Sequence, residues 1–436
     1  MNALALRSVL ERAWWLTLQD LDPSRLVFDA LRALNRSGRS PAGWTESTEV
    51  EEHGRRQLRP RALKPLHQPT IIATGKAAPA MAKGAIEALG AAQGLVVTTD
   101  GTFVPPLPES MLVMRAAHPI PDARSVRAAR AALQLANTSR DATMLVLISG
   151  GTSSLLCAPE RMSLAEKRTA TDQLLRSGAN IRECNTVRRH VSGIKGGRLA
   201  AAFRGPVHCM IVSDVVGGDA HDVGSGPACV DPTTISDAQQ IIRKHLTGSL
   251  AATLMAACTE SVKPSSPTGK STSFSLLASP EDLARVFAQH LRASGWTMKT
   301  ASFPTATAEE LSAALVIEAC ALEPGHGWVV ACEPTLTVPP DAGRGGRAGW
   351  VALHALSRLP DDVVLWAAAS DGVDGTSGAG GACVSGSMRS ALNPATVESH
   401  LAARDDAPLH HAMGTSLSGG PTGTNVTDVY GVIRAR

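Results

Sequence analysis

Apolar residues in this chain gather in short runs closed off by glycine, proline or small polar residues. Thr70–Thr74 (TIIAT), Gly94–Thr98 (GLVVT), Met111–Arg115, Leu145–Ser149 (LVLIS) and Val207–Val212 are of this kind. Continuous β-branched runs between breakers read as strands buried on both faces. Stretches with helical character alternate with them. One runs from Gly75-Lys76-Ala77-Ala78 to about Leu89, and another follows the rigid turn His118-Pro119-Ile120-Pro121-Asp122. A third opens at the capping box Ser163-Leu164-Ala165-Glu166, and a fourth extends from Pro232-Thr233-Thr234 to about Leu246. The alternation predicts a parallel, helix-covered sheet. Residues 3–35 read as two helices divided at Asp22-Pro23, and the Arg-, Ser- and Pro-rich stretch 36–68 reads as loop.

The pattern breaks at 262–273, VKPSSPTGKSTS, which marks a domain boundary by composition. The expected division is an N-terminal domain over 1–262, a linker over 262–273 and a C-terminal domain over 273–436. Alternation resumes beyond the break, with strands at 273–277, 297–302, 327–332 and 363–368 and helices capped at Ser279-Pro280, over 308–321 and up to Arg358. A length of 436 residues agrees with two domains.

Composition narrows the class. Hydrophobic residues make up 44% and charged residues 19%, enough for a large core in a soluble protein. A formal charge of +3 and an aromatic content of 3% argue against a nucleic-acid surface, which needs a basic stripe and stacking platforms. The eight cysteines are scattered, with no C-x-x-C pair, so reduced thiols in the cytoplasm are expected and zinc is not. No apolar run is long enough for a membrane span.

Candidate chemistry lies at the ends of the strands. Ser149-Gly150-Gly151-Thr152-Ser153 closes one strand with glycines and hydroxyls, a composition suited to cradling an anion. An ordinary turn between strand and helix has the same composition. Lys76 follows another strand, where its ammonium can meet a phosphate or simply be solvated. Asp214 and Asp219 flank Gly217-Gly218 at a strand end, and Asp371 opens Asp371-Gly372-Val373-Asp374-Gly375. Such carboxylates bind Mg²⁺ or accept a proton, and they are also common in turns on local grounds. Arg188, Arg189, Lys195 and Arg198 form a basic, glycine-bearing segment. Two apparent nucleotide motifs are weak. Pro264–Ser271 lacks the first glycine and the preceding strand of a Walker A loop, and Gly343–Ala348 fits G-x-G-x-x-A by letter only. Anion loops, acids and cations at strand ends fit phosphoryl transfer, in which catalysis is mostly positioning and charge neutralisation.

The matching segments run nearly end to end: ATGKAAPAMA (73–82), HPIPD (118–122), LVLISGGTSSLLCAP (145–159), RSGANIRECNTVRRHVSGIKGGRLA (176–200), SDVVGGD (213–219), GSGPACVDPTT (224–234), GRGGR (343–347), SDGVDG (370–375) and GGPTGTNVTDVYG (419–431). In these segments the chain resembles the glycerate 2-kinases. The resemblance implies an α/β fold of two domains, each with a mainly parallel helix-covered sheet, Rossmann-like in the N-terminal domain and of the MOFRL type in the C-terminal one. It implies ATP-dependent phosphorylation of the C2 hydroxyl of D-glycerate, with Mg²⁺, on a small-molecule substrate. By the same resemblance the catalytic lysine is Lys76 and the transition-state arginine Arg347. The acidic group is Asp214 or Asp219, Asp214 first, with both as metal ligands. Ser149, Gly150, Gly151, Thr152, Ser153, Arg188, Lys195 and Asp371 are the expected substrate- and phosphate-binding residues.

The chain departs from the family pattern in places. Thr152 replaces a third glycine, and Cys332 and Ala369-Ser370 replace Gly and Gly-Thr. Ala348-Gly349-Trp350 stand where Asn-Gln-Glu usually follow the arginine. Losing those polar neighbours predicts weaker discrimination among hydroxy acids. Two other readings stand beside the kinase: a hydroxypyruvate reductase using a nicotinamide cofactor, and a degenerate paralogue that binds a hydroxy acid without turnover.

Overall fold

The structure, a computed structural model, describes residues 3–37, 48–52, 55–59, 68–90, 93–141, 143–303 and 306–436. Most of the loop expected over 36–68 lies outside these residues. The part described there is an antiparallel hairpin of β1 (Thr48–Glu52) and β2 (Arg55–Arg59).

The chain packs as two compact units. The first comprises Pro23–Ser213 and Gly218–Leu277, and the second comprises Met1–Asp22, Asp214–Gly217 and Ala278–Arg436. The first unit is built on β3 (Thr70–Thr74), β4 (Gln93–Thr99), β5 (Met111–Ala116), β6 (Met144–Ser149), β7 (Val207–Val212) and β8 (Thr272–Ala278), in the order β5-β4-β3-β6-β7-β8. Neighbours from β5 to β7 pair in parallel. Every residue of β3, β6 and β7 is buried, as helices on both faces require. The helices start where their caps direct: Asp122, Ser163, Asn180 and Thr234 each form a reciprocal capping box, each worth about 1 kcal/mol.

The second unit carries β9 (Thr297–Phe303), β10 (His326–Cys332), β11 (Val363–Ala369), β12 (Gly381–Ser385) and β13 (Asp428–Arg434), in the order β12-β11-β13-β10-β9. This corrects the expectation of a mainly parallel second sheet. β9 and β10 are parallel, but β13 enters antiparallel between β10 and β11, and β12 is antiparallel to β11. The sequence hid this because β11 is buried along its whole length, so its apolar run looks like that of a parallel strand.

The division along the chain also differs from the expected one. The 262–273 stretch holds a short helix, Pro267–Ser271, followed directly by β8, which completes the first sheet. The first helix, Ala3–Asp20, packs in the second unit, where Trp14 meets Phe287 and Trp366 at ring-centroid distances of 5.7 and 6.2 Å.

Candidate active site

In the first unit, β3 and β6 are neighbours, and the loops leaving their carboxyl ends are tied together. The Lys76 N–H donates to the Gly150 carbonyl at 2.9 Å, and the Ala77 N–H donates to Ser149 Oγ at 3.0 Å. Thr152 Oγ1 lies 2.8 and 2.9 Å from the carbonyls of Ser149 and Thr74. The Lys76 stem runs past Gly151 beside the His118 ring: a Cβ on Gly151 would fall 3.5 Å from Lys76 Cγ and 3.1 Å from His118 Cδ2. Gly151 itself is left-handed, with φ of 85°. A lysine, a histidine and a glycine turn therefore meet at the strand ends, where open α/β sheets bind ligands.

A second loop closes on this one. Gly224, Ser225 and Gly226 are all left-handed, with φ of 62°, 60° and 61°. For a serine that conformation costs about 1–2 kcal/mol. Ser225 Oγ sits 3.3 Å from Ser153 Oγ and donates to Asn185 Oδ1 at 3.1 Å, while Arg188 Nη1 donates to the same Asn185 oxygen at 3.4 Å. Backbone strain held where polar side chains converge is a mark of a functional site. Arg188 is half-buried and has no carboxylate within ion-pair distance among the described residues. Burial pulls its guanidinium below the usual arginine value.

Several expected ligand-binding groups face inward. Lys195 is fully buried, and its ammonium donates to the carbonyls of Ser153, Leu156 and Gly224 at 2.7, 3.2 and 3.3 Å. It clamps the two loops from behind, and burial lowers its pKa well below the lysine value. Ser149 and Thr152 are likewise buried, with hydroxyls engaged by backbone. The sequence did not separate these from exposed groups because inward and outward hydroxyls look alike in a glycine turn. Arg189 is also internal, paired with Asp222 at 3.3 Å and Asp231 at 3.1 Å. Two contributors went unnoticed. Asn185 links Ser225 to Arg188, and Lys167 is buried, its amine without a hydrogen-bond partner among the described residues and its pKa lowered by burial. Asn185 left a legible signal, a polar side chain on the buried face of the Ile181–His190 helix.

In the second unit, Arg347 begins the helix Arg347–Leu356. Its Nη1 donates to Glu333 Oε1 at 2.8 Å, and its Nε lies 3.3 Å from Asp428 Oδ2. Burial works against this guanidinium's charge, but Asp428 and Glu333 outweigh it and raise its pKa. Glu333 follows β10 and Asp428 opens β13, opposite Cys332 in the ladder. Burial pushes the Asp428 carboxyl up to about 7 against the pull of Arg347, and Tyr430 Oη donates to it at 3.3 Å. Asp371 follows β11 and accepts the Val373 N–H at 3.0 Å. Asp214 packs in this unit too, its carboxylate accepting from Asn425 Nδ2 at 3.3 Å. The strand ends thus gather Arg347, Glu333, Asp428, Asp371 and the Asp214–Asn425 pair. Asp428 was not expected, although an acid opening an otherwise buried strand is a visible signal.

Asp219 packs in the first unit, with His221 and Asp222, their ligand atoms within 4.8 Å of one another. Asp222 is held by Arg189, and a histidine nitrogen suits Mg²⁺ poorly. What remains is the exposed Asp219 carboxylate, which fits an ion that keeps most of its waters and binds through one or two carboxylates plus phosphate oxygens.

Residues 9–259 match the domain of unknown function DUF4147, and residues 327–428 match the MOFRL family. A glycerate 2-kinase of Pyrococcus horikoshii is 34% identical over 386 residues, 82% of this chain and 86% of its own. A D-glycerate 2-kinase of Thermotoga maritima is 32% identical, over 82% of this chain and 89% of its own. The chain belongs to the glycerate 2-kinase family. A crystal structure of the Thermotoga maritima glycerate kinase, 28% identical, superposes with a TM-score of 0.80 over 99% of this chain and 100% of that one. A relative from Agrobacterium vitis, 34% identical over 85% of this chain and 88% of its own, is named for hydroxypyruvate reduction only provisionally.

Within the glycerate 2-kinase family pattern, the departures of this chain now have physical explanations. Thr152 is accommodated because its hydroxyl bonds two strand-end carbonyls, and Gly224 makes room for its side chain. Ala348, Gly349 and Trp350 are buried: Trp350 stacks on His354 with ring centroids 4.7 Å apart and donates to the Leu401 carbonyl at 3.0 Å. All three belong to the packed interior of this unit. Gly345, Gly346 and Gly349 lie against carboxylates, since a Cβ there would fall 2.1 Å from Asp406 Oδ1, 2.1 Å from Asp374 Oδ1 and 2.3 Å from Asp406 Oδ2. Asp374 accepts the N–H groups of Ala348 and Gly349 at 3.0 and 2.8 Å. These acids argue against a pyrophosphate at the 343–348 glycines, and so against reading that loop as a dinucleotide fingerprint.

Proposed function

We propose that this chain transfers the terminal phosphoryl group of ATP to the C2 hydroxyl of D-glycerate, giving 2-phosphoglycerate and ADP. The hydroxyl oxygen forms the new bond to phosphorus, the bond from phosphorus to the ADP oxygen breaks, and the hydroxyl proton leaves to a base. The observation that carries the reading is Lys76. In a chain of the glycerate 2-kinase family, it stands at the joined ends of β3 and β6, fixed by its own N–H to Gly150.

In this reading Lys76, in the first unit, offsets phosphate charge as a point cation, and Arg347, in the second, offers a planar guanidinium that can bridge two oxygens of a carboxylate or phosphoryl group. Glu333 and Asp428 orient Arg347. Ser153 and Arg188, joined through Ser225 and Asn185, bind the acidic end of a ligand, with Lys195 holding that loop from behind. Asp214 is the carboxylate assigned to the substrate hydroxyl, and Asp371 contributes a further acceptor. Asp219 would offer a carboxylate to Mg²⁺, which when bound neutralises phosphate charge. All eight cysteines are free, which supports a cytoplasmic setting.

The test is incubation with D-glycerate, ATP and Mg²⁺, with mass identification of the product, alongside Lys76→Ala. Loss of one cation at the transferring group lowers turnover by about 10²–10³ or more. No phosphorylated product from the wild type refutes the kinase reading. NADH oxidation with hydroxypyruvate and no ATP requirement would favour the reductase. Near-normal turnover in Lys76→Ala removes that residue from the mechanism.

A further inference from the structure

The second unit contains a cavity of about 340 Å³ that no part of the proposed chemistry uses. Its floor is the last turn of the helix that begins with Arg347, and its roof is the helix Pro394–Ala402. That roof is unusual: none of its residues is buried, and Val397 and Leu401 reach the core only half-covered. Leu356, Leu392, Val397 and Leu401 give the cavity an apolar interior. The volume lies near the lower end of small-ligand pockets, about 300–1,000 Å³, and suits a body the size of a leucine or phenylalanine side chain.

Two opposite charges line the same cavity without neutralising each other. Among the described residues the Arg358 guanidinium bonds only the His354 ring nitrogen, at 3.2 Å, and no carboxylate lies within 4.0 Å of it. The Glu398 carboxylate has neither an ion pair nor a hydrogen bond among the described residues. The third charge, Arg389, is already paired with Asp361 at 2.8 Å. An apolar interior edged by one unpaired cation and one unpaired anion is complementary to a zwitterion with an apolar body. We propose that this cavity binds an apolar α-amino acid, its carboxylate on Arg358, its ammonium on Glu398 and its side chain among Leu356, Leu392, Val397 and Leu401. The proposal does not depend on the kinase reading.

Calorimetric titration of the full-length protein tests it, with L-leucine, L-phenylalanine, 3-phenylpropionate (no ammonium) and 2-phenylethylamine (no carboxylate) as probes. The expected result is saturable binding of at least one amino acid with a Kd of about 0.1–1 mM, and binding about tenfold weaker for each single-charge analogue. Arg358→Ala and Glu398→Gln should each weaken amino-acid binding about tenfold, and Glu398→Gln should leave 3-phenylpropionate unchanged. Val397→Trp should fill the cavity and abolish binding. Arg358 and Glu398 are exposed and Val397 is half-buried, and the unfolding midpoint of each variant checks its fold. If Val397→Trp lowers that midpoint, the two charge variants carry the test. Absence of saturable heat from both amino acids up to about 10 mM overturns the proposal. So does binding unaffected by the charge variants, or 3-phenylpropionate binding at least as tightly as phenylalanine.

Discussion

Asp406 is 1% exposed, and among the described residues neither carboxylate oxygen has a partner in hydrogen-bonding geometry; the N–H groups of Gly346 and of Asp406 itself lower its pKa only in part. It lies against Gly345 and Gly349, with Asp374 beside it under the start of the Arg347–Leu356 helix. Burial, reinforced by the Asp374 charge, raises its pKa from 3.8 to about 7. A folded pKa above the unfolded one means that the folded state holds its proton more tightly. The stabilisation is complete below pH 3.8 and is lost as pH rises through about 7. The rise from 3.8 to about 7 corresponds to about 4 kcal/mol, and relaxation around the charge reduces the expected effect to about 2–4 kcal/mol. Asp406→Asn keeps the shape and cannot ionise. It should match the wild type near pH 4 and exceed it progressively, reaching that difference at pH 8. Urea unfolding at several pH values measures this. Tryptophan fluorescence is the appropriate probe, because every tryptophan except Trp44 belongs to the second unit. Subtracting variant from wild type cancels titrating groups that do not interact with Asp406, while Asp374, whose charge acts on Asp406, remains part of the difference. Parallel pH profiles, or a variant less stable at pH 8, would refute the account of Asp406 as a buried, unpartnered acid.

Other substitutions test the remaining assignments. Gly349→Gln, which restores the usual family residue, places a Cβ 2.3 Å from Asp406 Oδ2. It should lower the unfolding free energy by about 1–3 kcal/mol in urea titration, whereas equal or greater stability would show that Asp406 yields readily. Lys195→Met should cost about 2–4 kcal/mol of stability by leaving three carbonyls without their donor. An unchanged midpoint with activity lost would instead make Lys195 a ligand contact. Asp214→Asn should reduce Mg²⁺-dependent turnover far more than stability. If Asp219→Asn is the damaging change and Asp214→Asn is mild, the order within that pair is reversed.

The amino-acid pattern alone determined the strands from β3 to β11, most helix starts and the positions of the glycine loops, because these depend on neighbours close in sequence; β12 and β13, in the glycine-rich tail, were not legible in it. Buried runs such as Leu145–Ile148 and reciprocal caps such as Ser163 with Glu166 behave locally as their composition dictates. Family membership was legible for a related reason: loops such as 149–153 and 343–347 must keep their residue types to keep their backbone shapes. Tertiary structure decided what local pattern leaves open. β13 could take its antiparallel place between β10 and β11 only through contacts about one hundred residues away in one direction and sixty in the other. Whether Lys195 faces a ligand or three carbonyls, and whether residues 348–350 touch substrate or core, depends on which side of a turn or helix meets the rest of the fold. A charged or small side chain reads the same in sequence on either side, and burial alone separates a group that binds from one that holds the binding loop in shape.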